Sequence, residues 1–566
     1  MTGSLIFCIA LAYFVVGYFV YGGFLKRLMA INPKNPTPAN TMMDGIDYVP
    51  TPKIVLFGHH FASIAGPGPI VGPIMAAYFG YLPALIWILV GCVFIGAFHD
   101  FAALVISIRN KGHSISFVME KMMGLVGRQL FLSFCLLCLV LVVAIFALLI
   151  AGLFASTPQV ASASLMFIFV APVFALVTYK GGVSLRKASF FFVPLVFVVV
   201  NLGAVFPFDL GAMLSLDATS VRNIWLVVLA LYIFGASVLP VQWLLQPRDY
   251  LNSYLLYAML LLGFLSIVMF NPEIKMEAFK GFKAVTADGK NTALVPSLFI
   301  FIACGACSGF HALVASGTTS KQLKNEKDAL CVGYGSMLIE GVLGVMALVA
   351  VMAMEPDTFT KLGTNPALAF ATGIASFSQA LGFNEDYAKV FISLAISAFM
   401  LTSLDTAARL CRFLLQELFM PRSCKDEKSS CESLGKIRCL FLNKYVASLV
   451  IIISSLLLAL SGEAGSLWPI FGASNQLMAA LTFLVITLWL LARKANFFVA
   501  LIPMVFMMVM SLWGVVLVVK QQWGYSLLLV IVGIMLIAMA FMMIALGFSI
   551  IVNRLKERKS EALADY

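Results

Sequence analysis

The sequence predicts an all-α polytopic membrane protein of about fifteen transmembrane helices, built on a five-plus-five inverted-repeat core that contains discontinuous helices. Three observations predict it. Of the 566 residues, 62% are hydrophobic and 11% charged, and the mean hydropathy is +1.01, whereas soluble domains are roughly 45–50% apolar. Apolar runs repeatedly exceed the ~18 residues at which a membrane span outweighs a buried helix. Two of those runs are interrupted by Gly and Pro, the mark of a transporter whose spans unwind around a solute.

In chain order the spans lie near residues 5–25, 54–80, 81–108, 129–154, 161–179, 188–207, 223–246, 251–270, 294–318, 330–353, 388–418, 442–461, 468–492, 496–519 and 525–552. The first is a helix rather than a cleavable leader, because no positive segment precedes it and Lys26 and Arg27 follow it. Assigning the connections alternately to the two sides, with the N-terminus outside, collects most of the 37 Lys and Arg on one side, while Asp and Glu divide about evenly. That is the positive-inside pattern, and it puts the C-terminus in the cytoplasm. The net charge of +11 is therefore a topology signal and not a nucleic-acid surface. The layout is a peripheral helix and cytoplasmic loop (1–53), a first five-helix repeat (54–207), a second (208–419), a cytoplasmic loop (420–440) and four peripheral helices (441–566). The pairs Cys135/Cys138 and Cys304/Cys307 lie in apolar runs without His or Cys partners at metal spacing, so they read as small helix residues.

The first interrupted span reads GHHFASIAGPGPIVGP from Gly58 to Pro73. Pro67, Pro69 and Pro73 have no N–H to give to the carbonyls of Ser63, Ala65 and Pro69, and Gly66 and Gly68 loosen the backbone further. An unpaired backbone group in hydrocarbon costs several kcal/mol, roughly, so such a stretch must face protein or a polar cavity. The second reads FGASVLPVQWLLQPRDY from Phe234 to Tyr250, with Gly235 and Pro240 as breakers. It lies five spans later, and five is odd, so two such halves would run in opposite directions. A kinked structural helix is the competing reading of either segment.

Ionisable groups inside spans cost about 2.5–3.5 kcal/mol each at the bilayer centre and are functional candidates by default. His59 and His60 adjoin the first break; His99 and Asp100 share the third span, His311 lies in the ninth, and Glu340 and Asp405 complete the set, with His113 in a loop. Against these stand structural roles: His99 with Asp100 as a helix-pinning pair, and Glu340 or Asp405 neutral and bonded to a carbonyl. Asp100 and Asp405 sit near the inner ends of their spans, where Asp405 could face Arg409 or a vestibule. The hydroxyls of Ser316, Thr318, Thr319 and Ser320 end the ninth span; they suit a hard monovalent cation, or they cap the helix. The expected substrate contacts are His59, His60, Ser63, Gly66, Gly68 and Ser237. Coupling to a proton or sodium ion, the proton preferred, falls to Asp100, His311, Ser316, Thr318, Thr319 and Asp405.

Seven blocks in order carry a family resemblance: DGIDYVPT from Asp44, GHHFASIAGPGPIVGP, GYLPALIW from Gly80, QPRDYL from Gln246, ACGACSGFHALVASGTTSKQL from Ala303, TSLDTAARLCRFLLQEL from Thr402 and LWPIFGASNQLMAAL from Leu467. Together they resemble the carbon starvation protein A family. That resemblance implies a bacterial inner-membrane transporter, induced on nutrient limitation, for pyruvate with a proton or for short peptides. It also implies kinship with the amino acid/polyamine/organocation superfamily and its five-plus-five repeat. The connection before residue 388 and the N-terminus are shorter than in longer members, so the substrate does not carry over directly.

The resulting expectation is alternating access, with a substrate carboxylate at the half-helix N-terminus after Gly66–Pro69. The partners are the small solute, the coupling ion and membrane lipid, with no nucleic acid, cofactor or metal. A passive channel would show no ion coupling, and a nutrient-sensing membrane protein is the other alternative. An enzyme is not expected, because no nucleophile, base and orienter set, metal spacing or phosphate loop is found.

Overall fold

The computed structural model describes residues 2–44, 48–239, 245–286, 289, 291–420, 436–461 and 464–564. Among the described residues thirteen helices are long and apolar enough to cross a membrane, and one bent pair adds a fourteenth if it counts as one span. In chain order the principal helices are α1 Gly3–Leu28, α2 Lys53–Ile64, α3 Gly68–Ala76, α4 Tyr81–Arg109, α5 Ile115–Ser156, α6 Pro158–Thr178, α7 Leu185–Val205, α8 Ala218–Val238 and α9 Leu245–Phe270. A short hairpin, β1 Lys283–Val285 and β2 Asn291–Ala293, leads into α10 Leu294–Phe301, α11 Ala303–Ala306 and α12 Gly309–Gly317. Then follow α13 Glu326–Met352, α14 Pro366–Ser378, α15 Glu385–Phe419, α16 Lys444–Ser461, α17 Ala464–Ala492, α18 Phe498–Gln522 and α19 Leu527–Ala564. Most of the loop expected at 420–440 lies outside the described residues.

Burial sorts these helices into a centre and a rim. The apolar window of α5 is 83% buried inside the protein and those of α15 and α17 are each 94% buried, against 28% for α1. A helix apolar all round and buried by its neighbours is a core element; one with an apolar outer face is a rim element. The pair α5 and α15 pack along each other, and α17 packs on α5 and α18.

A few helix ends carry side-chain caps. Asp217 caps α8 by accepting from the backbone N–H groups of Thr219 and Ser220, and Asn384 caps α15 by accepting from Tyr387 N–H, with Glu385 and Asp386 in the first turn. At the other end of α8, Arg409 donates to the carbonyls of Ala236 and Leu239 at 2.7 and 2.8 Å. Arg409 is thus occupied by a helix end and not by Asp405.

Two expectations about the spans change. The helix of the fourth span starts at Ile115, fourteen residues before the expected 129, and crosses a kink at Gly124, whose φ of +75° suits a residue without Cβ. The ninth span, 294–318, is not one helix but three pieces, and this explains why fewer than fifteen continuous spans are present. The buried helix α14, between the tenth and eleventh spans, has no counterpart among the expected elements.

Candidate functional site

The first break falls where Pro and Gly place it. Helix α2 ends at Ile64, Ala65 leaves helical geometry at φ −70°, ψ 76°, and α3 starts at Gly68, with the two axes bent by 46°. The residues from His60 to Ile74 are buried, so the break packs within protein as the backbone argument requires. Pro67 and Pro69 have a second effect. They contribute no N–H, and the N–H groups of Ile70 and Val71 both return to the Pro67 carbonyl at 3.1 and 2.9 Å. The N-terminus of α3 therefore presents the Gly68 N–H and the helix dipole, fewer donors than expected.

Of the expected second interruption only part lies within the described residues: α8 ends at Val238 with Leu239 extended, directly before Pro240. Gly235 lies inside the continuous helix α8, because a lone glycine with open space around it does not stop a helix, and Pro240 lies outside the described residues. A break that was not expected lies at Ile302 (φ −92°, ψ 42°) and at Cys307 and Ser308, both extended, before α12 begins. Ser237, in the last turn of α8, pairs its hydroxyl with Ser448 of α16 at 2.9 Å.

The two breaks touch. A Cβ at Gly68 would fall inside the Cys304 side chain, so only glycine permits the approach of α3 to α11. Around the junction Phe146 of α5 and Ser403 of α15 close on Gly66, with Ser403 donating to the Ser63 carbonyl at 3.4 Å. Across the second break lies Asn475 of α17. Its Oδ1 accepts from Phe310 N–H at 3.0 Å and its Nδ2 reaches Ser308 Oγ at 3.0 Å and Cys304 Sγ at 3.3 Å. A side chain from another helix thus does the capping that Ser308, at the N-cap position of α12, does not.

Two buried polar clusters flank α2. In the first, Asp100 accepts from His99 Nδ1 on one oxygen and His311 Nδ1 on the other, each at 2.8 Å, and His311 Nε2 faces Glu340 at 3.4 Å. Beside it, His60 Nδ1 meets Thr319 Oγ1 at 2.8 Å. His60, His99, Asp100, His311, Thr319 and Glu340 all have 0% exposure. Helices α4 and α13 each bring their carboxylate in just after a π-helical turn, at Gly91–Gly96 and Leu330–Gly335, a feature common at functional sites.

In the second cluster Asp405 is held by Arg248 Nη1 and by the Tyr232 hydroxyl, and Arg248 also reaches Asp249 at 3.3 Å and Thr402 at 3.5 Å. Arg248 is 1% exposed. Asp405 is therefore one half of a fixed ion pair. His59, half-buried, is within electrostatic reach of Asp249.

The remaining expected residues turn inward on their own helices. Ser63 donates to the His59 carbonyl, Ser316 to Ala312 and Thr318 to Val314, at 2.7 to 2.9 Å, the back-bonding habit of hydroxyls in helices. Ser316 also receives Ile115 N–H. Of the coupling set, Asp100, His311 and Thr319 come together with His60, whereas Ser316 and Thr318 do not join them. Sequence reasoning missed Asn475, Arg248, Tyr232 and Ser403. Arg248 and Asn475 stand inside the blocks QPRDYL and LWPIFGASNQLMAAL, so the signal was a polar residue within an apolar run.

A family model described as Carbon starvation protein CstA matches residues 2–367 and 362–514. The peptide transporter CstA of Campylobacter jejuni is 33% identical over 576 residues, covering 89% of this chain and 78% of that protein. The pyruvate/proton symporter BtsT of Escherichia coli is 32% identical over 581 residues, covering 88% and 79%. A solved manganese transporter from Eremococcus coleocola aligns with a TM-score of 0.47 and 12% identity over 91% of this chain and 99% of its own.

Proposed function

Since the chain belongs to the carbon starvation protein CstA family, we propose that it is a secondary transporter that carries a small carboxylate-bearing solute, pyruvate or a short peptide, across the bacterial inner membrane together with a proton. The observation that carries the reading is the meeting of two broken spans, Gly68 at the start of α3 against Cys304 of α11, with a histidine–carboxylate cluster beside it. Relatives named for peptide transport and for pyruvate/proton symport support both the solute class and the proton.

The solute carboxylate would sit at the N-terminus of α3, where Gly68 N–H and the dipole offer positive character without a formal charge to desolvate. His60, Ser63 and Gly66 line the approach from α2, with His59 on the flank of that helix. Binding there would bridge α3 and α11, and the extended residues on either side of the breaks would absorb the backbone rotation of alternating access. Asp100, His311 and Thr319, joined to His60, would carry the coupling. The proton is favoured over sodium because these groups titrate, while Ser316 and Thr318 spend their hydroxyls on their own helices.

A five-plus-five repeat is proposed with other halves than the expected 54–207 and 208–419, its second broken helix being 294–317 rather than 234–250. Helix α9 packs on α2 of one broken span and on α15; α17 packs on α12 of the other and on α5. That reciprocal arrangement supports halves that begin at 53 and at 294, with α6 and α7 inserted in the first. The N-terminus is placed outside on the Lys and Arg distribution.

The test is uptake of labelled pyruvate and dialanine into proteoliposomes under imposed pH or sodium gradients. Accumulation that follows the pH gradient and collapses with a proton ionophore is expected. Equilibration at the same rate with and without the ionophore would mean a passive channel, and binding without movement would mean a sensor.

A further inference from the structure

Glu340 is unlike the other buried acids of this protein. Asp100 accepts two N–H bonds and Asp405 is held by an arginine and a tyrosine, but neither oxygen of Glu340 has a hydrogen-bond partner although the residue is fully buried. Among the described residues its one ion-pair neighbour is His311 Nε2 at 3.4 Å, a nitrogen without a side-chain hydrogen bond, while the Ile64 carbonyl at the first break also acts on the His311 ring. The other titratable groups that face Glu340 from the packed elements are Asp100 and the thiol of Cys92 on α4 and the thiol of Cys304 on α11. Among the described residues no Lys or Arg faces it.

The proton count around His311 follows from taking Asp100 as the ionised acceptor between two imidazoles. The His311 Nδ1 donates to Asp100, a carboxylate that already accepts from His99 with its other oxygen. The Nε2 side then has two compatible states. Either the ring is neutral and Glu340 carries the proton, pointing O–H at the Nε2 lone pair, or the ring is cationic and Nε2–H points at a Glu340 carboxylate. In both, one proton lies between Nε2 and Oε2. With that proton gone, a bare lone pair faces an unpaired buried carboxylate, an arrangement that low-dielectric surroundings penalise by several kcal/mol, roughly.

We propose that Glu340 is the proton-exchange group of the transport cycle and that His311 links it to Asp100, an assignment that rests on the transport reading above. The proton leaves from Oε2 or Nε2 to water and returns to the same pair from the other side, with no bond made to the solute. Because Glu340 is on α13 and His311 on α12, the half of the second broken span below Ser308, deprotonation drives the two helices apart. Protonation draws them together. The occupancy of one proton thereby biases the position of a half-helix whose upper end meets the solute junction, which is what coupling requires.

The experiment uses full-length protein in proteoliposomes and whichever of pyruvate or dialanine the wild type moves. Glu340→Gln is expected to lose pH-gradient-driven accumulation at least tenfold while solute-for-solute exchange, which needs no net proton movement, continues. Glu340→Asp is expected to restore part of the accumulation with a displaced pH profile. If Gln accumulates solute as wild type does, or if it loses exchange together with accumulation, the assignment is overturned. A second measurement does not depend on any variant: solute added to wild-type protein in weakly buffered detergent should change the bound-proton count by about one, and no change overturns the proposal. Absence of any solute movement by wild type under every gradient would instead remove the transport reading itself.

Discussion

Replacing Asn475 by Ala probes the second break without touching a titratable group. The substitution removes the acceptor of Phe310 N–H and the donor to Ser308 and Cys304, leaving a buried backbone N–H at the start of α12 uncapped. An unsatisfied buried donor costs about 1–3 kcal/mol. Ser308, which occupies the N-cap position and does not use its side chain there, can rotate to offset part of that, so the lower half of the range is expected for stability. If the break is the solute site, the same distortion falls on transport. A loss of ~1–3 kcal/mol in apparent kcat/KM corresponds to roughly 5- to 150-fold, since about 1.4 kcal/mol is tenfold. The assay is initial uptake in vesicles matched for protein, beside thermal unfolding of the detergent-solubilised protein. Asn384→Ala is the control, because it removes a chemically equal cap from Tyr387 N–H on the exposed start of α15. Wild-type uptake by Asn475→Ala at matched protein, or an equal loss of uptake in Asn384→Ala, would refute the placement of the site.

His60→Ala should abolish concentrative uptake while leaving membrane expression intact, and Thr319→Val should weaken it in the same direction through the lost 2.8 Å contact; normal uptake by His60→Ala removes that residue from the mechanism. Arg248→Met should destabilise by about 3–5 kcal/mol, because Asp405 is left as an unpaired buried charge, and Arg248→Met with Asp405→Asn should regain part of that in thermal unfolding. Gly68→Ala should cut uptake sharply, since its methyl meets Cys304, and Cys304→Gly in the same chain should relieve it. His113, in the loop between α4 and α5, is held below the usual imidazole range by burial and then by Lys321 and Lys111. The unfolded chain therefore binds more protons there, and this contribution to stability declines as pH falls below about 6.5; His113→Gln should flatten unfolding against pH in that range.

How far the sequence could be read depends on which physical cause produced each feature. The first break was legible because proline removes a donor wherever it stands, so Pro67, Pro69 and Pro73 forbid a regular helix whatever surrounds them. The second was not, because it contains no proline. It exists by tertiary replacement: Asn475 supplies the cap, and Gly309 lies so close to the backbone of Asn475 and Ala479 that only glycine fits. Gly235 looked as disruptive as a proline, yet nothing crowds it and α8 runs through it to Val238. The acids show the same division. That Asp100 and His311 need polar company follows from the cost of burial alone. Their pairing across 211 positions, and the preference of Asp405 for Arg248 over the nearer Arg409, depend on helix packing that no local pattern encodes.

The two clusters differ in a way that assigns them different work. A guanidinium keeps its proton at every physiological pH, so Arg248 holds a fixed compensating charge beside Asp405 that favours the carboxylate form. The His60, Asp100, His311 and Glu340 cluster contains no such fixed cation, and its net charge changes with each proton. Helix α2 stands between them. Successive residues on a helix point about 100° apart, so His59 turns toward Asp249 and the anchored side while His60 turns toward Thr319 and the titrating side. Under the transport reading, a short half-helix with a fixed ion pair on one flank and a variable charge on the other would pivot on the first when the second changes. That mechanical asymmetry requires that neutralising the anchor, as in Arg248→Met with Asp405→Asn, slow proton-driven uptake and solute exchange alike. Loss of accumulation alone in that double variant would place the proton on the wrong side of α2.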